Sequence, residues 1–164
     1  MVNRNRPHVL VIPEDEANSR IVNGFHLDLD PTAERQLQVL PEAGGWTHVL
    51  EVFESTYVPY LDRCAIGHLV LLIDFDKRED RLVSATARIP QRLRDRVFIL
   101  GCRNEPKNLK GTRLGCILED VGMRLAEDCR NETDIMWGCA ELRHNAPELA
   151  RMREVIRPIL FPEA

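Results

Sequence analysis

Two aspartates at the end of an apolar run are the residues whose type and spacing point most directly to chemistry. Asp74 and Asp76 follow residues 69–73, which are all aliphatic, and only Phe75 separates them. If the extended backbone continues past the run, both carboxylates leave on one side and Phe75 on the other. Two carboxylates so close repel each other unless a cation neutralises them, and Mg²⁺ or Mn²⁺ with oxygen ligands is the usual agent. The pair therefore predicts a divalent-metal site.

A third carboxylate is available after the first apolar run of the chain. Residues 9–12 are Val-Leu-Val-Ile, and after Pro13 an acidic turn begins at Glu14. If the strand before this turn lies next to the strand before Asp74, the turn completes an acidic patch with the two aspartates. A metal ion in such a patch activates water or a hydroxyl and stabilises charge during phosphoryl transfer. We therefore predict phosphodiester chemistry, with cleavage of nucleic acid as the leading reaction.

Positive charge is concentrated directly after the aspartate pair. The stretch from Lys77 to Arg113 contains 11 lysines and arginines against four acids. Most of them are arginines, whose planar guanidinium suits bidentate contacts with phosphate. This composition predicts that the stretch holds the phosphates of a nucleic acid beside the acidic patch. The predicted contacts are Lys77, Arg78, Arg92, Arg94, Arg103 and Lys107.

These residues need a scaffold that brings them together, and the hydrophobic pattern predicts one. Short apolar runs, typical of buried strands, alternate with segments that repeat apolar residues at helical spacing. Such alternation predicts a compact α/β fold in which about four parallel strands are covered by helices on both faces, with extra helices at the C-terminus. The carboxyl ends of parallel strands meet at one edge, where functional groups gather. The predicted strands are residues 9–12, 36–40, 68–73 and 97–100.

Helices are predicted between and after these strands. One follows the acidic turn, one covers residues 46–57 and is limited by Pro59, and one covers residues 81–88. Two more follow the last strand. They are predicted from the apolar spacing of Leu114, Ile117, Leu118, Val121 and Leu125, and from Asn145, a cap residue followed by Pro147 and Glu148 as in a capping box.

Length and composition favour one ordinary globular domain. The chain has 164 residues, of which 44% are hydrophobic and 29% charged, and this mixture is too apolar for a disordered chain. The longest aliphatic run, residues 69–73, is far shorter than the roughly 20 residues of a membrane-spanning helix, so we expect no membrane partner. Five cysteines without a C-x-x-C pair argue against a disulfide framework and a zinc ribbon. A cytoplasmic protein is expected.

In combination, these motifs resemble the Toprim domain, the acidic α/β module of topoisomerases, primases, OLD-type nucleases and several phage-defence proteins. In that family a Glu follows strand one, a Gly-rich turn follows strand two and D-x-D follows strand three. Glu14, the glycine pair at residues 44–45 and the D-x-D at residues 74–76 occur here in the same order. The segment 104–109 is similar to the Glu-containing segment after strand four in OLD-type relatives.

The resemblance implies a Rossmann-like core, a nuclease-type activity and a set of site residues. The core would cover about residues 9–109, and a helical addition would follow at about 112–161 within a single domain. The chain departs from the family at Asp15, where Gly is usual, and at residues 77–79. The implied site residues are Glu14 as general acid, general base or metal ligand, Asp74 and Asp76 as ligands of Mg²⁺ or Mn²⁺, and Glu105 as an aid to a second ion.

Two other functions stay open at the level of sequence. The acidic turn and the strand before Asp74 are also similar to a response-regulator receiver domain, although 60 residues separate Glu14 from that aspartate and Arg157-Pro158 stands for the expected Lys-Pro. Alternatively, the acidic fold binds nucleic acid or a protein partner without catalysis, since the chain has no Walker A motif and no recognisable zinc finger. A homo-oligomer is open as well.

Overall fold

A four-stranded parallel sheet forms the centre of the computed structural model, which describes residues 1–112 and 117–162. The strands are β1 (His8–Pro13), β2 (Leu37–Val39), β3 (Gly67–Leu72) and β4 (Val97–Leu100). They lie in the order β2, β1, β3, β4, so β1 and β3 are the inner pair. All three pairings are parallel, which confirms the predicted α/β class and the four predicted strands.

Helices cover both faces of the sheet. In chain order they are α1 (Glu16–Leu27), α2 (Trp46–Val52), α3 (Val58–Arg63), α4 (Glu79–Ala87), α5 (Leu118–Asn131), α6 (Ala146–Val155) and α7 (Arg157–Leu160). Side chains alternate along β1, so Leu10 and Ile12 pack towards α2, α3 and α4. Val9 and Val11 face α1, α5, α6 and α7. Across the described residues, no helix has both the length and the apolar character needed to cross a membrane.

The helix predicted over residues 46–57 continues further than expected. α2 passes into a π-helical turn (Phe53–Tyr57) and then directly into α3. The prediction that Pro59 limits this helix is therefore wrong, because Pro59 lies in the first turn of α3. Helices bend at prolines and at π turns without having to end there.

Helices α1 and α5 pack against each other through glycines. A Cβ atom added to Gly24 of α1 would lie 2.0 Å from the carbonyl oxygen of Glu119, and one added to Gly122 of α5 would lie 1.9 Å from a backbone oxygen of α1. The two backbones therefore touch, and only glycine fits at both positions. α5 begins at Leu118, and Leu114 of the predicted helix lies outside the described residues. The contact fixes α1, whose first turn carries part of the candidate site.

The outer edge of β4 is covered by side chains from the start of α6. Asn145 accepts a hydrogen bond from the Gly101 N–H at 3.2 Å and donates to the Gly101 carbonyl at 3.0 Å. Glu148 accepts from the N–H of Ile99 at 2.9 Å. Asn145 is the residue before α6, as predicted, but its side chain makes no capping hydrogen bond, so the predicted capping box does not form. The edge strand needs these partners because the N–H groups that point away from β3 have no neighbouring strand.

Candidate acidic site at the carboxyl edge of the sheet

Glu14 and Asp74 meet at the carboxyl edge of the sheet, where the inner strands β1 and β3 end. Glu14 follows β1 directly, and its N–H donates to the carbonyl oxygen of Leu72 at 3.0 Å, which extends the ladder by one bond. The Glu14 carboxylate reaches across to the neighbouring strand, where Oε2 accepts a hydrogen bond from the backbone N–H of Asp74 at 2.7 Å. The parallel register thus joins two predicted site residues that are 60 positions apart.

The Asp74 carboxylate is buried and only half satisfied. Its residue is 6% exposed, and Oδ2 accepts a hydrogen bond from Nδ2 of Asn18 at 3.2 Å. The same Asn18 amide donates to Asp15, whose side chain caps the start of α1. Oδ1 of Asp74 is buried and has no hydrogen-bond partner among the described residues. A buried carboxylate oxygen without a partner is costly, so a hydrogen-bond donor or a cation beside this atom would stabilise the site.

Burial and neighbouring charge shift the titration of both carboxyl groups. Loss of solvation raises the pKa of Asp74 to about 8, and the negative charges of Glu14 and Asp15 act in the same direction. Burial also raises the pKa of Glu14, although the hydrogen bond from the Asp74 N–H and the positive charge of Arg81 lower it in part. Both shifts have the sign expected for buried carboxyl groups with acidic neighbours.

Asp76 is held differently from Glu14 and Asp74, although its negative charge still raises the pKa of both carboxyl groups. Asp76 and Lys77 have φ of 47° and 59°, so the backbone enters the left-handed region directly after Phe75. The extended backbone that would place Asp74 and Asp76 on one side therefore does not continue as far as Asp76. The Asp76 carboxylate is about half exposed and forms an ion pair with Arg81, with Oδ2 2.8 Å from Nη2.

Arg81, on α4, is a site residue that sequence reasoning missed. Its Nη1 donates to the backbone carbonyl of Asp74 at 2.6 Å, while Nη2 binds the carboxylate of Asp76. Its guanidinium also lies over the Trp46 ring, 5.2 Å from the centroid. Arg81 is 9% exposed, so this internal cation is held in place on several sides. The sequence showed Arg81 only as one base in a basic stretch, and its partners come from two separate segments, residues 74–76 and the start of α2.

The predicted Gly-rich turn lies beside Glu14. Gly44 and Gly45 have φ of 84° and 143°, a region that favours glycine. Their N–H groups donate to the carbonyl oxygen of Glu14 at 2.8 and 3.2 Å. The turn therefore anchors the backbone of Glu14 and leads into α2, where Trp46 is the first residue.

Glu105, predicted to assist a second ion, lies in a different environment. Its carboxylate forms an ion pair with Lys107, with 2.9 Å between Oε1 and Nζ. The segment after β4 is instead held by Glu141, which accepts hydrogen bonds from the backbone and side-chain amides of Asn104 and from the Asn108 side chain at 3.4 Å. Glu141 was not a predicted site residue, because nothing in its local sequence links it to a segment 37 positions earlier.

We call the carboxyl edge of the sheet around Glu14 and Asp74 the acidic edge. Four of the predicted phosphate contacts lie near it. Lys77 and Arg103 are adjacent, since the Lys77 N–H donates to the Arg103 carbonyl at 2.7 Å. Both side chains are exposed and form no ion pair within the described residues. Arg78 pairs with Asp80 at 2.7 Å, and Lys107 is the partner of Glu105.

The other two predicted phosphate contacts lie at the opposite edge of the sheet, the amino edge, where the parallel strands begin. Arg92 and Arg94 precede β4, whereas the acidic residues follow the ends of β1 and β3. Arg92 is bound to Asp62 by two hydrogen bonds, at 2.9 and 2.8 Å. The single basic stretch of the sequence is therefore divided by β4 into two separate surfaces. Arg113, the last base of the stretch, lies outside the described residues.

The acidic edge offers a divalent ion two carboxylates. A cation beside the unpartnered Oδ1 of Asp74 would relieve the repulsion between this group and Glu14. Asp76 is held by Arg81, and in residues 1–112 and 117–162 no three His, Cys, Asp or Glu side chains converge as a metal site. Glu14 and Asp74 are the two carboxylates that would hold Mg²⁺ or Mn²⁺ here, and Mg²⁺ usually keeps several waters and binds substrate phosphates.

Comparison with known proteins adds no relative to this description. No protein-family model matches the chain, and neither does any curated protein or solved structure. The function of the acidic edge therefore rests on its own geometry and chemistry.

Proposed function

We propose that the acidic edge is a divalent-metal-dependent site for phosphodiester chemistry, and that it cleaves nucleic acid. The observation that carries this proposal is the pairing of Glu14 with Asp74, whose buried Oδ1 has no partner in the described part of the chain. Mg²⁺ or Mn²⁺ is the partner that this oxygen-rich, negatively charged environment favours.

Each residue of the pair has a distinct role in this proposal. Glu14 and Asp74 would hold the ion, which supplies charge stabilisation and an activated water when it is bound. Asp74 is fixed by Asn18 and by the carbonyl contact with Arg81, so it is the positioned ligand. Glu14 is more exposed and has a raised pKa, which suits it to exchange a proton with water or a leaving oxygen.

The surface charge beside the pair supports a polyanionic substrate. Lys77 and Arg103 present exposed cations at the same edge of the sheet. Phosphate contacts of this kind position a nucleic acid without reading its sequence. The order of motifs supports the same reaction, since a Glu after β1, a Gly turn after β2 and D-x-D after β3 resemble the Toprim pattern.

The test is cleavage of labelled single- and double-stranded DNA and RNA in the presence of Mg²⁺ or Mn²⁺. We expect metal-dependent cleavage by the wild type and a loss of at least about 100-fold in Asp74→Asn, since metal catalysis contributes several kcal/mol. Asp95→Asn is the matched control, because Asp95 is an exposed acid before β4 at the opposite edge, and its activity should be unchanged.

A second candidate function is binding of nucleic acid or a protein partner without catalysis. The observation that favours it is the Asp76–Arg81 ion pair, which neutralises one member of the D-x-D motif internally. Folded wild type that binds the labelled strands but leaves them intact with both metals would contradict the cleavage proposal and support this one. Cleavage retained in Asp74→Asn would instead show that another site is responsible.

A further inference from the structure

A cavity of about 170 Å³ lies between the sheet and helices α1, α5 and α6. It is on the face of the sheet opposite α2, α3 and α4. Its walls are almost wholly aliphatic or aromatic, and the strands and helices that form it contribute, among others, Val11, Val70, Val22, Phe25, Leu125 and Met152.

The cavity follows from a difference in side-chain size between the two faces of the inner strands. Three of the four inner-strand residues that line it are valines, namely Val9 and Val11 on β1 and Val70 on β3, and the fourth is Leu72. The alternate positions on the other face carry larger side chains: Leu10, Ile12, Leu69 and Leu71. Protein interiors are normally packed as densely as organic crystals, with few voids larger than a water molecule. An apolar void of this size leaves its lining without contacts, so an occupant would stabilise the protein.

The cavity has an opening of mixed charge. Its solvent-exposed lining residues lie together where α5 ends and on α6, and they include Glu132, Thr133, Asp134 and Arg153. Acidic and basic groups are both present at this opening, so it does not select a charged ligand. The interior of the cavity offers few polar atoms to a ligand that needs hydrogen bonds.

We propose that this cavity is a binding site for a small, uncharged, apolar molecule of about the size of a single aromatic ring. The proposal is independent of the chemistry at the acidic edge. Apolar cavities of about 150 Å³ stay dry and bind benzene or xenon, so the volume and lining here suit that class of ligand. Asn18, which donates to Asp74, lines the same cavity, and an occupant would therefore lie one side chain away from the acidic site.

Benzene is the probe for the first test, and thermal unfolding is the readout. A ligand that binds only the folded state raises the melting temperature with its concentration. We expect such a rise for the wild type and a rise at least about threefold smaller for the double variant Val11→Ile/Val70→Ile, which fills the cavity with two methyl groups. The matched control is Val49→Ile/Val97→Ile, which adds two methyl groups to the buried core on the other face.

The control variant should keep the full response to benzene, although overpacking lowers its melting temperature. No rise for the wild type, or equal loss of response in both double variants, would overturn the proposal. Xenon NMR of the wild type gives a second measurement that needs no variant. At a fixed protein concentration, the xenon shift caused by the protein should become smaller as rising xenon concentration fills the site, and a shift that does not depend on xenon concentration would contradict a binding site.

Discussion

Arg81 is bound to Asp76 through an ion pair of 2.8 Å, and the same guanidinium donates to the Asp74 carbonyl at 2.6 Å. The acidic edge therefore contains its own cation. This cation binds both ends of the D-x-D turn, and its position over Trp46 leaves it little freedom to move. Neutralisation of Asp76 by Arg81 offsets part of the repulsion among the three acidic side chains.

Removal of this internal cation should make the fold depend on a divalent ion. We expect Arg81→Gln to lower the free energy of unfolding by roughly 2 to 4 kcal/mol, because it leaves Asp76 unpaired beside the other acids and removes buried hydrogen bonds. Addition of Mg²⁺ should then raise the melting temperature of this variant more than that of the wild type.

Thermal unfolding with and without Mg²⁺ checks this prediction. Arg88→Gln is the control, because Arg88 also binds a carboxylate through two hydrogen bonds, those to Glu54, but lies away from the acidic edge. Its melting temperature should respond to Mg²⁺ as the wild type does. An equal response of both variants would show that the ion does not take the place of Arg81.

Stability should fall as the pH rises towards 8, and Asp74 should be the main cause. Burial raises its folded-state pKa to about 8, whereas the unfolded chain has the ordinary value of about 3.9. Between these values the folded state holds one more proton than the unfolded state, so the free energy of unfolding decreases with increasing pH. The stabilising contribution is complete below about pH 4 and is lost as the pH passes the folded pKa.

Denaturant unfolding of the wild type and Asp74→Asn in metal-free buffer measures this effect. Asn cannot ionise. Between about pH 5 and pH 8, the free energy of unfolding of the wild type should therefore fall by on the order of 3 kcal/mol more than that of the variant. Glu14 stays in both proteins, and its raised pKa gives both a smaller loss in the same direction. Parallel pH profiles of the two proteins would show that Asp74 titrates normally.

Metal-dependent cleavage should require Glu14 but not Glu105. The Glu105 carboxylate is bound to Lys107, whereas Glu14 is hydrogen-bonded to the backbone of Asp74. Glu14→Gln should reduce metal-dependent cleavage by at least about 100-fold, and Glu105→Gln should change it by less than about threefold. Cleavage rates at saturating Mg²⁺ and at limiting Mg²⁺ decide between the two residues. A large loss in Glu105→Gln would restore the predicted role of Glu105 at a second ion.

The elements of the sheet could be predicted from sequence because each depends on local pattern. Apolar runs, the glycine pair and the acidic turn all signal their structure within a few residues. The parallel order then places Glu14 beside Asp74, although they are distant in sequence. The missed features depend on contacts between remote segments, such as the bond of Asn145 to Gly101, 44 positions earlier.

The turn after Phe75 could not be predicted for a different reason. Asp76 and Lys77 adopt positive φ, which residues with a Cβ seldom do, and no glycine is present there to indicate it. The tertiary contacts with Arg81 and with the Arg103 carbonyl stabilise this conformation. Consequently the sequence pattern predicted that Asp74 lies beside Glu14, but it did not predict the left-handed turn at Asp76.

The division of the basic stretch by β4 gives a prediction about binding of nucleic acid. Lys77 and Arg103 lie at the acidic edge, and Arg92 and Arg94 lie at the other. Of these two pairs, a nucleic acid bound at the acidic edge can contact only Lys77 and Arg103. Each phosphate contact that is lost reduces the slope of log K against log salt for duplex binding by about 0.9. Lys77→Ala/Arg103→Ala should therefore reduce the slope of log K against log salt by about 2.

The matched variant is Arg92→Ala/Arg94→Ala, which removes the same charge from the opposite edge. Its slope should equal that of the wild type, because the Arg92 guanidinium is already bound to Asp62 and neither residue faces the acidic edge. Binding is measured without divalent ions, so that cleavage does not interfere. A reduced slope in this variant alone would place the nucleic acid at the amino edge of the sheet. Because that edge is remote from Glu14 and Asp74, binding and cleavage could not then share one site.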